Sequence, residues 1–179
     1  MKKILILLLK IIGALFIVGV IGVFAIIIKY RLELPNMQSM VEDYKPQMAT
    51  TIYDKNNKVV DTLSVEAREV VKLEDVSPYI KDAFLSIEDK QFYSHHGLNF
   101  KGIARAVITT FLKGRATQGG SSITQQLAKN AFLTPEKTFS RKVKEAILTY
   151  QIERTYTKDE ILERYLNEIY YGSGSYGIK

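Results

Sequence analysis

The sequence predicts a mainly α-helical domain with a small β-hairpin at its start, preceded by one N-terminal transmembrane helix. Three observations predict this. Ile11 to Ile28 is an unbroken run of 18 apolar residues. Two β-rich stretches flank an Asn-containing turn between residues 50 and 63. From Ser77 onward, apolar residues recur at helical spacing behind residues suited to helix starts.

The apolar run is long enough to span a bilayer, and it extends back to Ile4 if Lys10 snorkels to the interface. A cleaved signal peptide has a shorter core ending in a small-x-small site, whereas Ile26-Ile27-Ile28-Lys29-Tyr30 offers none. The segment therefore reads as an uncleaved signal anchor. Lys2 and Lys3 face Lys29 and Arg31 across it, and the free amino terminus with Lys10 tips the balance toward a cytoplasmic N-terminus. That makes the chain single-pass, with everything after Tyr30 outside.

The 179 residues, 46% hydrophobic and 25% charged, suffice for this anchor plus one modest domain. With no cysteine, neither a disulfide framework nor a thiolate metal site is available. The net charge of +6 is partly carried by Lys2, Lys3 and Lys10; from residue 29 onward 22 basic residues face 19 acidic ones. Such a mild excess suits an anionic membrane surface or a phosphorylated substrate, and no basic stripe interleaved with aromatics points to nucleic acid.

Residues 1–30 form the tail and anchor, and 31–49, with Pro35 and Pro46, read as a juxtamembrane linker. The domain is expected over 50–179. Thr50–Tyr53 and Val59–Leu63 form the hairpin around Asp54-Lys55-Asn56-Asn57-Lys58, and a further short strand is expected at Glu69–Leu73. Ser77 can cap a first domain helix with Pro78 in its first turn, and Ile80, Ala83, Phe84 and Ile87 follow at helical spacing. That helix delivers Glu88 and Asp89 at its end. A second helix covers Lys101–Leu112, and a flexible stretch with three glycines, Lys113–Gly120, follows. Ser122-x-x-Gln125 is a capping box opening the third helix. A fourth, Phe139–Thr155, carries Val143, Ala146, Ile147 and Tyr150 on one face. Thr157-x-x-Glu160 caps a fifth, with Ile161, Leu162, Tyr165, Leu166 and Ile169 as its apolar stripe and Gly172 as its end.

Taken alone, Glu88 is an acid near a helix end. Its setting changes that. Glu88-Asp89-x-x-Phe92-x-x-His95-x-Gly97 and Gly119-Gly120-Ser121-Ser122-Ile123-Thr124-Gln125-Gln126-Leu127-x-Lys129-Asn130 resemble the first two signature motifs of the peptidoglycan glycosyltransferases, glycosyltransferase family 51. Arg141-Lys142-x-x-Glu145 looks like the third motif, and Lys158-x-x-Ile161-Leu162-Glu163-x-Tyr165-Leu166-Asn167 like the fourth. The resemblance covers roughly Thr51 to Lys179. Members of that family continue into further helices, so the resemblance implies a C-terminally truncated chain whose parent is a class A penicillin-binding protein or a monofunctional transglycosylase.

The resemblance implies a lysozyme-like helical lobe, a smaller membrane-touching lobe and a location in the bacterial cell membrane with the catalytic domain extracytoplasmic. It implies polymerisation of lipid II into β-1,4-linked glycan with inversion at the anomeric carbon and release of undecaprenyl pyrophosphate. Glu88 would be the general base for the incoming hydroxyl, and Glu145 would support catalysis near the departing pyrophosphate. Asp89, Ser122, Thr124, Gln125, Gln126, Lys129, Asn130, Lys137, Arg141 and Lys142 are the implied substrate-binding residues. Lys129, Lys137, Arg141 and Lys142 are cations able to neutralise a leaving diphosphate. Arg141 and Glu145, four apart, share a helix face and can pair. A divalent cation, magnesium or manganese, is implied without assigned ligands; His95 and His96, being adjacent, make a poor metal site alone, and no organic cofactor is expected. Partners implied are lipid II, the growing glycan, the membrane, and a transpeptidase domain or other cell-wall synthesis proteins. The rival readings are a lytic transglycosylase and a non-catalytic fragment that binds lipid II or the membrane.

Overall fold

The computed structural model describes residues 2–34, 37–44, 50–63, 67–68, 70–114, 119–172 and 175–178. The chain divides into two compact units, Met1–Pro35 and Asn36–Lys179. The first is helix α1, Lys2–Glu33, whose most apolar window has a mean hydropathy of 3.1, long and apolar enough to cross a membrane. Large apolar side chains along it, Leu15, Phe16 and Phe24 among them, are exposed.

The second unit is mainly α. Its strands β1 (Thr50–Tyr53) and β2 (Val59–Leu63) pair antiparallel. The turn forms because Asp54 Oδ1 accepts from the Asn56 and Lys58 amides at 2.7 and 2.9 Å, while Asn57 takes the left-handed φ of 61° that asparagine tolerates. The next strand, β3, is Ala67–Arg68, earlier and shorter than the expected Glu69–Leu73; Glu69 lies outside the described residues. The expected strand does not form at Val71 and Leu73 because side chains take its backbone groups. Asn167 bonds both the N–H and the C=O of Val71, at 2.9 and 2.8 Å, and Glu163 accepts from the Leu73 amide at 2.7 Å. Leu73–Asp75 is a single 3₁₀ turn.

Helix α3, Pro78–Glu88, starts with Ser77 in the cap position, although its hydroxyl makes no capping bond. Helix α4, Phe100–Lys113, is capped by Asn99, which accepts from the Gly102 amide at 2.7 Å, and closes on Gly114 in a left-handed conformation. Residues 115–118 of the expected flexible stretch lie outside the described residues. Helices α5 (Ile123–Phe132), α6 (Phe139–Thr155) and α7 (Lys158–Glu168) pack on one another and carry most of the core. Ile123, Leu148, Ile152, Ile161, Leu162 and Leu166 are fully buried there. Both expected capping boxes are formed, at Ser122 and Thr157.

Two expectations for the last helices are corrected. The buried stripe of α6 is Glu145, Leu148, Thr149 and Ile152, while Tyr150 is exposed and Val143, Ala146 and Ile147 are half-buried. The packed face includes two satisfied polar residues, so hydropathy pointed to its flank. Helix α7 ends at Glu168 rather than Gly172, because Ile169 turns to an extended conformation and Tyr170–Gly172 becomes β4. This strand pairs antiparallel with β5 (Ser175–Tyr176), which runs parallel to β3.

The stretch expected as a linker also carries structure. Within it α2, Met37–Glu42, packs against α6, with Val41 fully buried and its carbonyl accepting from the Tyr156 hydroxyl. Tyr44 stacks edge-on with Phe132 at 5.0 Å and donates to Glu168. Apolar anchors at single positions such as Val41 lack the period by which a helix announces itself. The two prolines of this stretch lie outside the described residues.

Candidate functional site

Glu88 and Asp89 close α3 and point to opposite environments. Asp89 is 4% exposed, and its carboxylate is used by three groups: His95 Nε2 at 2.8 Å, Asn99 Nδ2 at 3.3 Å and the Ile123 amide at 3.3 Å. These come from the loop after α3, the cap of α4 and the first turn of α5, so Asp89 pins three segments. A buried carboxylate needs such donors. Glu88 is exposed, and its Oε2 accepts from Gln126 Nε2 at 2.7 Å.

Helix α5 supplies the facing wall. Its first turn is buried: Ser122 donates to the Gly97 carbonyl, Thr124 donates to Glu153, and Gln125 completes the capping box. Glu153 is also held by Lys158 Nζ at 2.8 Å. Residues one turn further along α5, Gln126, Lys129 and Asn130, reach the open side.

On α6, Glu145 is 2% exposed. Arg141 Nη1 donates to its Oε2 at 2.9 Å, Lys142 Nζ donates to its Oε1, and Gln125 Nε2 donates to Oε1 at 3.3 Å. Lys142 reaches Ser121 Oγ as well, at 3.0 Å. The expected Arg141–Glu145 pair thus exists, and a second cation and an amide from α5 complete it.

Three hollows with shared lining residues form one trough. The first runs by Glu88, Asp89, Asn99, Arg105 and Ser122; the middle one, of about 260 Å³, lies between Glu88, Gln126, Lys129 and Glu145. The third, of about 750 Å³, is rimmed by Lys129, Asn130, Lys137, Arg141 and Lys142, with Tyr170 and Tyr176 opposite. Its four cations face only Glu145 and Glu168 among its lining acids, so the far end favours an anion. Tyr170 and Tyr176 stack there, their ring centroids 4.9 Å apart.

The trough brings together Glu88, Gln126, Lys129, Asn130, Lys137, Arg141, Lys142 and Glu145. Thr124 is turned away into the core, and Ser122, Gln125 and Asp89 border the trough with their polar atoms already engaged. Residues that sequence reasoning left unassigned also appear. Ser121 lines all three hollows, and its place inside the Gly119-Gly120 run was the available signal. Glu153, the partner of Thr124 and Lys158, stands outside every motif and had none.

Tyr165, expected as a packing residue, is fully buried and edge-on to Phe84 at 6.2 Å. Burial raises the pKa of its phenol, and the Glu88 carboxylate adds to the rise. Tyr171 is pushed up to about 12 by burial.

Among the described residues no group of three or more His, Asp or Glu side chains gathers to hold a metal. Both oxygens of Glu145 are engaged by Arg141, Lys142 and Gln125, and Asp89 is saturated. Among the described residues, Glu145 and Asp89 therefore have no free carboxylate oxygen to give to the divalent cation that the resemblance implies.

The transglycosylase family profile matches residues 56–179. Penicillin-binding protein 1A of Aquifex aeolicus (strain VF5) is 41% identical over 179 residues, 100% of this chain and 24% of that protein. Penicillin-binding protein 1A of Neisseria flavescens is 44% identical over 165 residues, 92% of this chain and 20% of that protein. Penicillin-binding protein 1F of Bacillus subtilis (strain 168) is 48% identical over 131 residues, 73% of this chain and 18% of that protein. The chain thus spans between 18% and 24% of the length of these three relatives.

Proposed function

The chain belongs to the transglycosylase family, and from that premise we propose that it is a membrane-anchored peptidoglycan glycosyltransferase that polymerises lipid II. One observation carries this reading. An exposed carboxylate, Glu88, and a cation-rich hollow around Glu145 lie along one trough, bridged by Gln126 and Lys129.

That layout suits transfer between two lipid-linked disaccharides. The 4-hydroxyl of one unit is a weak nucleophile and needs a base; Glu88 takes its proton as the new O–C1 bond forms. The C1–O bond to the diphosphate of the other unit breaks on the opposite side, so the anomeric centre inverts. The electron pair leaves with the lipid pyrophosphate, which is already a good leaving group. Its charge requires neutralisation more than its oxygen requires a proton. Lys129 and Lys137 offer unpaired ammonium groups among the described residues, and the Arg141–Lys142–Glu145 cluster carries one net positive charge. Glu145 orders the two cations rather than meeting the sugar.

The anchor confines the domain to the membrane in which its lipid-linked substrate resides. The lysine balance favours a cytoplasmic N-terminus and an extracytoplasmic domain. A transpeptidase domain is the companion we propose, since the relatives are named penicillin-binding proteins and this chain spans 24% and 20% of their length.

The test incubates the detergent-solubilised chain, anchor included, with fluorescent lipid II. The expected result is a ladder of glycan polymer that Glu88→Gln abolishes while lipid II binding persists. Binding without polymer in the unsubstituted chain would instead support a binding module, and shortening of added glycan a lytic enzyme.

A further inference from the structure

The end of α3 is clasped to α5 at two adjacent residues. Asp89 accepts from the Ile123 amide, and Glu88 accepts from the Gln126 side chain, one helical turn later on the same helix. The clasp is anchored on a rigid element, since Ile123, Thr124, Gln125, Leu127 and Ala128 of α5 are all buried. Gln126 is the α5 residue in that run that reaches the open side, and it spends its amide on Glu88.

We propose that Gln126 is a positioning residue for Glu88, holding one carboxylate oxygen so that the other is presented to the incoming hydroxyl. This rests on the reading of Glu88 as the base. An exposed glutamate at a helix terminus has three side-chain torsions and no packing to restrain them. A base must meet its proton at hydrogen-bond distance, and small misplacements cost large factors in rate. The bond at 2.7 Å from an amide, which is neutral and donates only through nitrogen, fixes Oε2 without competing for Oε1. This differs from the sequence expectation of Gln126 as a hydrogen-bonding residue for sugar or phosphate. A ligand residue acts on substrate affinity, whereas a positioning residue acts through Glu88 alone.

The experiment has two arms. In the first, the chain with its anchor is labelled with ¹⁵N-glutamine in detergent micelles. The Gln126 side-chain amide signal is identified as the one lost in Gln126→Leu. Its shift is expected to move in Glu88→Gln, and an unmoved signal overturns the contact. In the second, polymerisation of lipid II is followed. Gln126→Leu is expected to lower kcat roughly tenfold to a hundredfold with KM within about twofold and an unchanged melting temperature. A raised KM with kcat retained overturns the proposal in favour of a substrate ligand. Glu88→Gln is the control: if it polymerises normally, the base assignment fails, while the amide signal still reports whether Gln126 holds Glu88. If Glu88→Gln is dead and Gln126→Leu is fully active, the positioning role fails alone.

Discussion

The hydroxyl of Ser122 donates to the carbonyl of Gly97, joining the loop that closes the first motif to the cap of the helix that carries the second. Gly97 has φ of 86°, and a Cβ there would sit 2.6 Å from Thr149 Cγ2 and 3.0 Å from Glu153 Cγ. Both the backbone conformation and the close approach of α6 require glycine.

Gly97→Ala is therefore expected to destabilise the domain by about 2 to 4 kcal/mol. It would displace the carbonyl that Ser122 uses and push on the Thr149 and Glu153 side chains behind it. Chemical denaturation of the detergent-solubilised chain measures this. A loss below about 0.5 kcal/mol would mean that the loop relaxes freely and that the motif glycine has another purpose.

Glu145 is the second site where one residue holds several others. Glu145→Ala leaves the Arg141 guanidinium, itself largely buried, and the Gln125 amide without their acceptor. Stability should fall by about 2 to 4 kcal/mol. Glu145→Gln, which keeps the shape and one acceptor oxygen, should cost less. Equal losses for the two would show that charge, not volume, is what this position supplies.

The contrast between Gly97 or Glu145 and the strands explains what was readable in advance. Ser122-x-x-Gln125 and Thr157-x-x-Glu160 were legible because a capping box is closed within four residues, and both formed. The hairpin was legible for the same reason, its Asp54 and Asn57 acting locally. The strand at Ala67–Arg68 was not, since its parallel partner is Ser175–Tyr176, distant in the chain, and two residues show no period. The buried face of α6 was misjudged because Glu145 and Thr149 belong to the core only once Arg141, Lys142 and Gln125 surround the former and the helix backbone accepts from the latter. At the site, motif order located the trough. It did not show that Asp89, Ser122 and Thr124 spend their polar atoms on the fold.

The capping box of α7 gives a pH signature. Glu160 accepts from the Thr157 amide at 2.7 Å and from its hydroxyl at 2.8 Å, and these bonds hold its pKa below the usual glutamate value. A depressed folded-state pKa means stability that is present above the unfolded value and lost as pH falls through the folded one. Glu160→Gln should thus be less stable than the unsubstituted chain at neutral pH, with the gap closing below about pH 4. Melting curves across pH 3 to 7 test it, and a gap independent of pH would remove the charge from the account. Because Glu160 is well exposed, the effect should be small.

The Tyr165 hydroxyl is buried and has no hydrogen-bond partner among the described residues. Removing it costs no bond and relieves the desolvation of a polar group, so Tyr165→Phe should leave stability unchanged or raise it by up to about 1 kcal/mol. A clear loss of stability would reveal a bound water or another acceptor at that hydroxyl.

Lys129 and Arg141 border the same anion-favouring hollow but should respond differently when truncated. Arg141 is committed to Glu145, and its Nε is buried without a partner among the described residues, so Arg141→Ala strips a buried carboxylate of the more buried of its two cations. Melting temperature should drop along with activity. Lys129 makes no ion pair among the described residues and projects between the Glu88 hollow and the cation hollow. Lys129→Ala should keep the melting temperature and weaken use of the diphosphate-bearing donor by roughly tenfold, about 1.4 kcal/mol of transition-state stabilisation. The loss should shrink in high salt, where an exposed ammonium is already screened. Unchanged donor kinetics in Lys129→Ala would move the diphosphate contact to Lys137 and the Arg141–Lys142 pair.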